Sequence, residues 1–369
     1  MSQISSTHTP SIQPIHGGNL AWAAAIAGCS PDSLLDFSAS INPLGPPDTV
    51  MQAITTALGL LRHYPDPQYT ALRRALADYH CISADWVLPG NGAAELLTWS
   101  ARDIAETAAP GGCGVLTPAF GDYGRALKAV GVRLRPWPLS LAEQAAPLEL
   151  ADAWPESAGA SLLINNPHNP TGALFSVDQL EPLLERFALV IVDEAFMDFV
   201  PPNHQQSLIG HLDRYRNLVI LRSLTKFYTL PGLRIGYALG HPDRLTRWQH
   251  WRDPWPVNTL AATAAIAAVQ DTDFQTRTWR WLPVARQAFF DGLGQISGLS
   301  PQAGSANYLL VKTNRSALAL QERLLRRDRL LIRDCSSFAE LGDDYFRVAV
   351  RRSSENERLL TALTEAMGV

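Results

Sequence analysis

The residues best suited to chemistry lie in one short segment that contains Ser223, Lys226 and Arg234. Apolar runs precede and follow it at 218–221 and 235–239, so the pattern predicts a strand, a tight loop and a second strand. A lysine shielded in such a loop can lose its proton and attack a carbonyl to form a Schiff base. A hydroxyl and a guanidinium beside it can hold a phosphate. The combination predicts a site for pyridoxal 5′-phosphate (PLP), although Ser-x-x-Lys alone is common and most lysines are solvated surface charges.

Three further segments supply groups that such a cofactor needs. Residues 86–97 predict a short strand, a glycine turn and a helix start, where the free amides of the helix N-terminus favour an anion. Asn169 lies in a polar loop with two Asn-Pro steps and is suited to donate a hydrogen bond to the ring hydroxyl. Asp193 ends an apolar run, at the edge where α/β sheets place ligands, and its carboxylate can keep a pyridine nitrogen protonated. Each segment alone could be an ordinary turn or helix cap.

Taken together, the motifs Asn-Pro-x-Asn-Pro-Thr-Gly, Asp-Glu-Ala-Phe and Ser-x-Thr-Lys resemble those of fold-type I PLP enzymes of the class I/II aminotransferase superfamily. The resemblance runs from about His16 to the C-terminus. It implies that Lys226 binds PLP covalently and that Asp193 contacts the pyridine nitrogen, both as catalytic residues. The other cofactor-binding residues that it implies are Asn169 at the ring oxygen, Phe120 stacked on the ring, and Ser223, Arg234, Ala93 and Ala94 at the phosphate. Tyr64 would reach the phosphate of the neighbouring subunit, which implies a homodimer.

Two stretches point to one branch of this superfamily. The N-terminal stretch with His16-Gly17-Gly-Asn and the C-terminal stretch 331–351 resemble decarboxylases of O-phosphothreonine in the cobalamin pathway, which are related to histidinol-phosphate aminotransferases. Such a small phosphorylated amino acid carries two anions, and arginine forks suit both. The resemblance implies that Arg347 holds the carboxylate. Arg333 is then expected to take the phosphate, with His16, Gly17 and Ser336 or Ser337 nearby; Asn169 is also expected to contact the substrate.

The alternatives are a histidinol-phosphate or related aminotransferase and a non-catalytic PLP-binding protein. Phe196 stands where many aminotransferases of this group carry tyrosine, so one hydrogen bond to the ring oxygen is lost and the first alternative is weakened. The second is disfavoured because Lys226, Asp193, Asn169 and Arg234 are all present.

Composition agrees with a soluble enzyme but does not identify one. The chain has 369 residues, 46% of them hydrophobic, so a full hydrophobic core is expected. Its net charge is −4, so a nucleic-acid-binding surface is not expected. Four widely spaced cysteines without a C-x-x-C pair predict reduced thiols in a cytoplasm, and no metal site. The polar residues 1–14 contain no signal-peptide core, and no run reaches membrane-spanning length, so no membrane partner is expected.

The order of elements predicts an α/β fold of PLP fold-type I, with a mostly parallel central sheet, one antiparallel strand at 235–239, and a small α+β domain. A surface loop is expected within 136–160, and a packed helix in the alanine-rich run 260–269. The predicted domains are a flexible tail at 1–15, an extended arm at 16–45 that contributes to the small domain or active site, a large PLP-binding domain at 46–270, and a small C-terminal domain at 271–369.

Overall fold

The computed structural model describes residues 16–107, 111–141 and 159–368. The predicted tail at 1–15 and most of the predicted loop within 136–160 lie outside the described residues. By their contacts, the described residues form two compact units. The large unit comprises Ile41–Pro283 and Gly304–Asn307; the small unit comprises the described residues up to Ser40, Val284–Ala303 and those from Tyr308 onward. The domain boundaries derived from the sequence stay a prediction.

The strands, in chain order, are β1 (Leu35–Asp36), β2 (Val87–Gly90), β3 (Cys113–Thr117), β4 (Leu134–Pro138), β5 (Ser161–Asn165), β6 (Leu189–Asp193), β7 (Leu218–Ser223), β8 (Gly236–Gly240), β9 (Leu299–Pro301), β10 (Tyr308–Thr313), β11 (Leu330–Leu331), β12 (Arg333–Asp334) and β13 (Tyr345–Ala349). The α-helices are α1 (Leu20–Ala27), α2 (Asp48–Ala57), α3 (Thr70–His80), α4 (Gly92–Thr107), α5 (Gly121–Ala129), α6 (Val177–Arg186), α7 (Leu224–Phe227), α8 (Pro242–Trp251), α9 (Thr259–Gln270), α10 (Thr272–Gly294), α11 (Ala317–Asp328) and α12 (Ser353–Met367).

The large unit is built on one sheet with the strand order β2-β8-β7-β6-β5-β3-β4. Strands β3 to β7 pair in parallel, whereas β8 runs antiparallel to both of its neighbours, so the predicted antiparallel strand is confirmed. Strands β5, β6 and β7 are buried along their whole length, as expected when helices cover both faces of a parallel sheet. Helix α4 packs its apolar side against this sheet through Leu96, Leu97 and Ile104. The carboxyl ends of three adjacent strands therefore have a rigid support.

The alanine-rich run forms helix α9, which packs against α2 and α3, so the predicted packed helix is confirmed. Asn258 caps its N-terminus by accepting a hydrogen bond from the Ala261 N–H at 2.8 Å. Among the described residues, no helix is both long and apolar enough to cross a lipid bilayer.

The small unit contains the antiparallel sheet β12-β13-β10-β9 and the parallel pair β1-β11. The predicted extended arm is only partly correct, because residues 20–27 of it form helix α1. Asn19 caps this helix by accepting from the Trp22 N–H at 3.0 Å, and Gly28 ends it with φ of 63°. Ala23 of α1 packs with Leu325 and Leu331, which fixes the arm to the small unit.

Candidate active site

Lys226 lies on helix α7, a single helical turn that directly follows strand β7. The sequence predicted a loop at this position; a helical turn forms because Ser223 ends the strand and accepts a hydrogen bond from the Thr225 N–H at 3.4 Å. The carbonyl of Lys226 accepts from the Asn42 N–H at 3.0 Å, and the side-chain amide of Asn42 donates to the Phe227 carbonyl at 2.9 Å. The half-buried lysine thus projects from a backbone that is held on both sides.

Asp193 ends strand β6 and is 8% exposed. One carboxylate oxygen accepts from the hydroxyl of Tyr123 at 2.7 Å, and the other accepts from the Ala195 N–H at 3.0 Å. Burial raises the pKa of Asp193, while the two hydrogen bonds and the charge of Lys226 oppose that rise. The charge of Lys226 therefore acts on the Asp193 carboxylate.

Asn169 is tied to the same strand end through Asn165. Residues Asn165 and Asp193 stand opposite each other in the parallel pairing of β5 and β6. The side-chain oxygen of Asn165 accepts from the Asn169 N–H at 2.6 Å, and its amide nitrogen donates to the Asp193 carbonyl at 2.7 Å. The loop is also held by buried His168, whose Nδ1 lies 2.8 Å from the Thr171 hydroxyl. Burial lowers the pKa of His168 to about 4, although the carbonyl groups of Leu116 and Pro118 oppose this shift.

The predicted phosphate site lies where helix α4 begins. Gly92 has φ of 76°, and a Cβ atom there would lie 2.7 Å from a guanidinium nitrogen of Arg234. A Cβ at Gly236 would lie 2.9 Å from the amide nitrogen of Ala93. These glycines let Arg234 and the helix N-terminus approach each other, and both are positive partners for an anion. Ser223 pairs with Gly236 across β7 and β8, which brings its hydroxyl to the same strand ends.

Two aromatic residues expected in the site occupy different environments. Phe120 directly precedes helix α5, is half-buried and lies edge-on to Tyr123 at 5.6 Å between ring centroids. Tyr64 is 79% exposed, and its ring lies 4.5 Å from that of Trp255. Its action on a neighbouring subunit stays a prediction. Phe196, at the position where related enzymes were expected to carry tyrosine, is buried and stacks on Phe199.

A buried ion cluster lies beside these strand ends. Arg222 is 1% exposed and pairs with Glu194 at 2.8 Å and with Asp198 at 2.5 Å, and both carboxylates are almost fully buried. Burial raises the pKa of each carboxyl group, while the guanidinium opposes that rise. Arg222 directly precedes Ser223, and Glu194 directly follows Asp193, so the cluster fixes two strand ends that carry predicted cofactor ligands.

In the small unit, Arg333 and Arg347 stand directly opposite each other in the antiparallel pairing of β12 and β13. They are 5% and 8% exposed. Two cations placed opposite each other destabilise a sheet unless anions compensate them, and Asp334 supplies one such carboxylate beside Arg333. Burial, followed by the charge of Arg333, lowers the pKa of Arg347, while Tyr308 and Cys335 oppose this shift. The pair is therefore suited to bind an anionic ligand.

Each of the two arginines is held in place. Arg333 donates to Asp334 at 3.1 Å and to the Ser337 hydroxyl at 2.5 Å. Arg347 donates to the carbonyl of Ser38 at 3.0 Å, and its guanidinium lies 5.0 Å from the centre of the Tyr308 ring. Their forks are thus oriented before any ligand arrives.

His16 and Gly17 lie close to Arg333 within the small unit. They line one pocket together with Gly18, Asn19, Trp22, Ser38, Gln321, Leu331, Arg333 and Asp334. A side chain at Gly17 would overlap the carbonyl of Ser38, so only glycine fits there. The Ser38 hydroxyl accepts from the Gly18 N–H at 2.8 Å and donates to Asp36 at 2.6 Å. Ser38 thus connects the His-Gly-Gly segment with Arg347.

The structure brings most predicted site residues into two clusters. The large unit gathers Lys226, Asp193, Asn169, Phe120, Ser223, Arg234, Ala93 and Ala94 around the strand ends, and the small unit gathers His16, Gly17, Arg333 and Arg347. The sequence argument missed Tyr123, Asn165, Ser38 and Asp334. Of these, only Tyr123 had a usable indication in the sequence, since it follows the predicted ring-stacking residue Phe120 by three residues.

These residues fit PLP. A helix N-terminus that glycines let Arg234 approach suits its phosphate, and a buried carboxylate with two donors, beside the charge of Lys226, suits its ring nitrogen. The sheet with one antiparallel strand and this set of groups define a PLP-dependent enzyme with the fold-type I architecture. The chain belongs to the aminotransferase class I and II family, which matches residues 32–363.

Comparisons with known proteins show which members of this family the chain is similar to. The threonine-phosphate decarboxylase of Salmonella typhimurium is 41% identical over 360 residues, covering 95% of this chain and 96% of that protein. The adenosylcobalamin biosynthesis bifunctional protein CobDQ of Leptospira interrogans is 28% identical over 95% of this chain and 41% of its own length. The histidinol-phosphate aminotransferase of Sinorhizobium meliloti, solved in complex with PLP, has a TM-score of 0.84 at 22% identity and covers 97% of this chain and 98% of that chain. This last likeness concerns the fold alone.

Proposed function

We propose that this enzyme decarboxylates L-threonine O-3-phosphate to (R)-1-aminopropan-2-ol phosphate and CO₂, for cobalamin biosynthesis. The observation that carries the proposal is the buried pair Arg333 and Arg347, set opposite each other across two strands. A substrate with a phosphate and a carboxylate supplies two anions for two guanidinium groups. The 41% identity to the Salmonella decarboxylase over nearly the whole chain supports the same reaction.

The groups of the large unit fit the work that the cofactor requires. When bound, PLP supplies an electron sink for the bonding pair left at the substrate Cα. Asp193, oriented by two hydrogen bonds, places a negative charge where the ring nitrogen must stay protonated. Lys226 supplies the amine that holds the cofactor between turnovers and a base or acid close to it. Arg234, Ser223 and the first amides of α4 hold the phosphate.

The arginines of the small unit determine which bond at Cα is broken. In our assignment Arg347 binds the carboxylate and Arg333 binds the phosphate, with His16 and Gly17 beside it. An aminotransferase presents the C–H bond for cleavage, whereas a decarboxylase presents the bond to the carboxylate. The same catalytic groups therefore serve either outcome, and the positions of the two anions select between them.

We also propose that the enzyme works as a homodimer in the cytoplasm. Exposed apolar side chains support the dimer, since Tyr64, Trp255, Met51, Leu58, Leu60 and Leu61 are each at least 41% exposed and all belong to the large unit. Two of the four cysteines, Cys113 and Cys335, are buried as free thiols, which agrees with a reducing compartment.

The reaction is tested by offering O-phosphothreonine to the PLP-loaded enzyme and measuring CO₂ and keto acid together. We expect CO₂ and a phosphorylated amino alcohol without keto acid, and neither product from the Lys226→Ala variant. Histidinol phosphate with 2-oxoglutarate provides the matched test for an aminotransferase. Efficient transamination of that pair, with no CO₂ released from O-phosphothreonine, would replace our proposal with the aminotransferase alternative.

A further inference from the structure

Tyr123 is a buried tyrosine whose two ends contact two residues of the predicted cofactor site. It lies in the first turn of helix α5 and is 2% exposed. Its hydroxyl donates to Asp193 at 2.7 Å. Its ring meets that of Phe120 edge-on, with 5.6 Å between the centroids and 84° between the planes. One side chain thus connects the carboxylate expected at the ring nitrogen with the aromatic residue expected on the ring face.

The hydrogen bond from Tyr123 affects the charge state of Asp193 because the Asp193 carboxylate is buried. A buried phenol needs a polar partner, and a buried carboxylate needs donors to remain charged. Asp193 receives one donor from the backbone of Ala195, which every residue type except proline would supply. The second donor depends on the side chain at position 123. Tyr123→Phe removes this donor to the Asp193 carboxylate and keeps the aromatic ring.

We propose that Tyr123 is a positioning residue that holds the Asp193 carboxylate toward the ring nitrogen of PLP and sets the tilt of the Phe120 ring. It acts through Asp193 and does not itself contact the substrate. The inference rests on the proposed function only in so far as PLP is the cofactor. It predicts that removing the hydroxyl weakens the interaction of the enzyme with the ring nitrogen and leaves the phosphate site intact.

The test compares PLP with its 1-deaza analogue, in which a C–H group replaces the ring nitrogen. Holoenzyme loaded with either compound is diluted, and the free cofactor is measured to obtain its dissociation constant. We expect Tyr123→Phe to weaken PLP binding by about tenfold, the lower end of the effect of one hydrogen bond to a charged group. Binding of the deaza analogue should change by less than twofold, because it has no ring nitrogen for Asp193 to hold.

Two controls separate this role from a general packing role. Tyr215→Phe removes another hydroxyl that contacts a carboxylate, Glu185 at 3.2 Å, and should leave the affinity for both cofactors unchanged. In an Asp193→Asn background, Tyr123→Phe should change PLP affinity by less than twofold, since the charge it supports is gone.

The outcomes are distinct. Equal weakening of both cofactors by Tyr123→Phe, or no weakening of either, would overturn the positioning role while the proposed function stands. A wild-type protein that retains no PLP would overturn the proposed function together with this inference.

Discussion

Replacing Arg333 with alanine should change the substrate preference of the enzyme more than its chemistry. Arg333 is almost fully buried and donates to Asp334 and Ser337. Its removal does not strand Asp334, because Gln321 and Ser336 also donate to that carboxylate. The variant should therefore fold, and the effect should fall on the anion that Arg333 binds.

The expected magnitude follows from the burial of the pair. Removing one partner of a desolvated charge pair costs about 2–5 kcal/mol, so kcat/KM for O-phosphothreonine should fall by about 30-fold to several thousand-fold. Unphosphorylated threonine carries no second anion, so its kcat/KM should change by less than about threefold. The difference between the two substrates isolates the contribution of the phosphate.

The assay measures release of CO₂ from both substrates by wild type, Arg333→Ala and Arg347→Ala. The Arg347 variant is the matched control, since it removes an equally buried guanidinium from the facing strand. In our assignment it should penalise both substrates, because both carry the carboxylate. If Arg333→Ala lowered kcat/KM for threonine and O-phosphothreonine by the same factor, the assignment of the phosphate to Arg333 would be wrong.

Three further predictions concern assembly and stability. Mixing Tyr64→Phe with Lys226→Ala subunits should restore decarboxylation above either parent, since a mixed dimer would contain one unaltered site; a fully active monomer would contradict this. Arg222→Met should lower the free energy of urea-induced unfolding by about 3–5 kcal/mol at pH 8, because two carboxylates stay buried without their cation, and by less at lower pH, where they bind protons. A loss below about 1 kcal/mol at both pH values would contradict it. The pKa of His168 is near 4 in the folded chain, so between about pH 6.5 and pH 4 the unfolded chain binds a proton that the folded chain does not. Lowering the pH from 7 to 5 should therefore destabilise the wild type by about 2 kcal/mol more than His168→Asn in the same unfolding assay.

Much of the candidate cofactor site could be predicted because its residues follow apolar strands directly. Lys226 and Asp193 sit at strand ends that hydrophobic runs already mark in the sequence, and parallel strands bring such ends together. The antiparallel course of β8 was predictable for a similar reason, since too few residues separate it from β7 for a crossover helix.

The parts that could not be predicted depend on register and on long-range contacts. Whether Arg333 faces Arg347 depends on the pairing of two short strands, and a shift by one residue would move each side chain to the other face. The contact between Tyr123 and Asp193 joins residues 70 positions apart. The helical turn at Lys226 and the helix in the N-terminal arm depend on local caps, Ser223 and Asn19, which compete with extended conformations of similar energy.

The hairpin-like connection between β7 and β8 has a consequence for how the site forms. Ser223 pairs with Gly236, so Ser223, Lys226 and Arg234 are brought together when a loop of about a dozen residues closes. Short loops close at low entropic cost and early in folding, whereas the partners on β5 and β6 must be recruited across far longer stretches of chain. Three of the nine predicted cofactor-binding residues would thus assemble as a local folding unit. An insertion between residues 228 and 233 lengthens this loop and should accordingly slow maturation of the site.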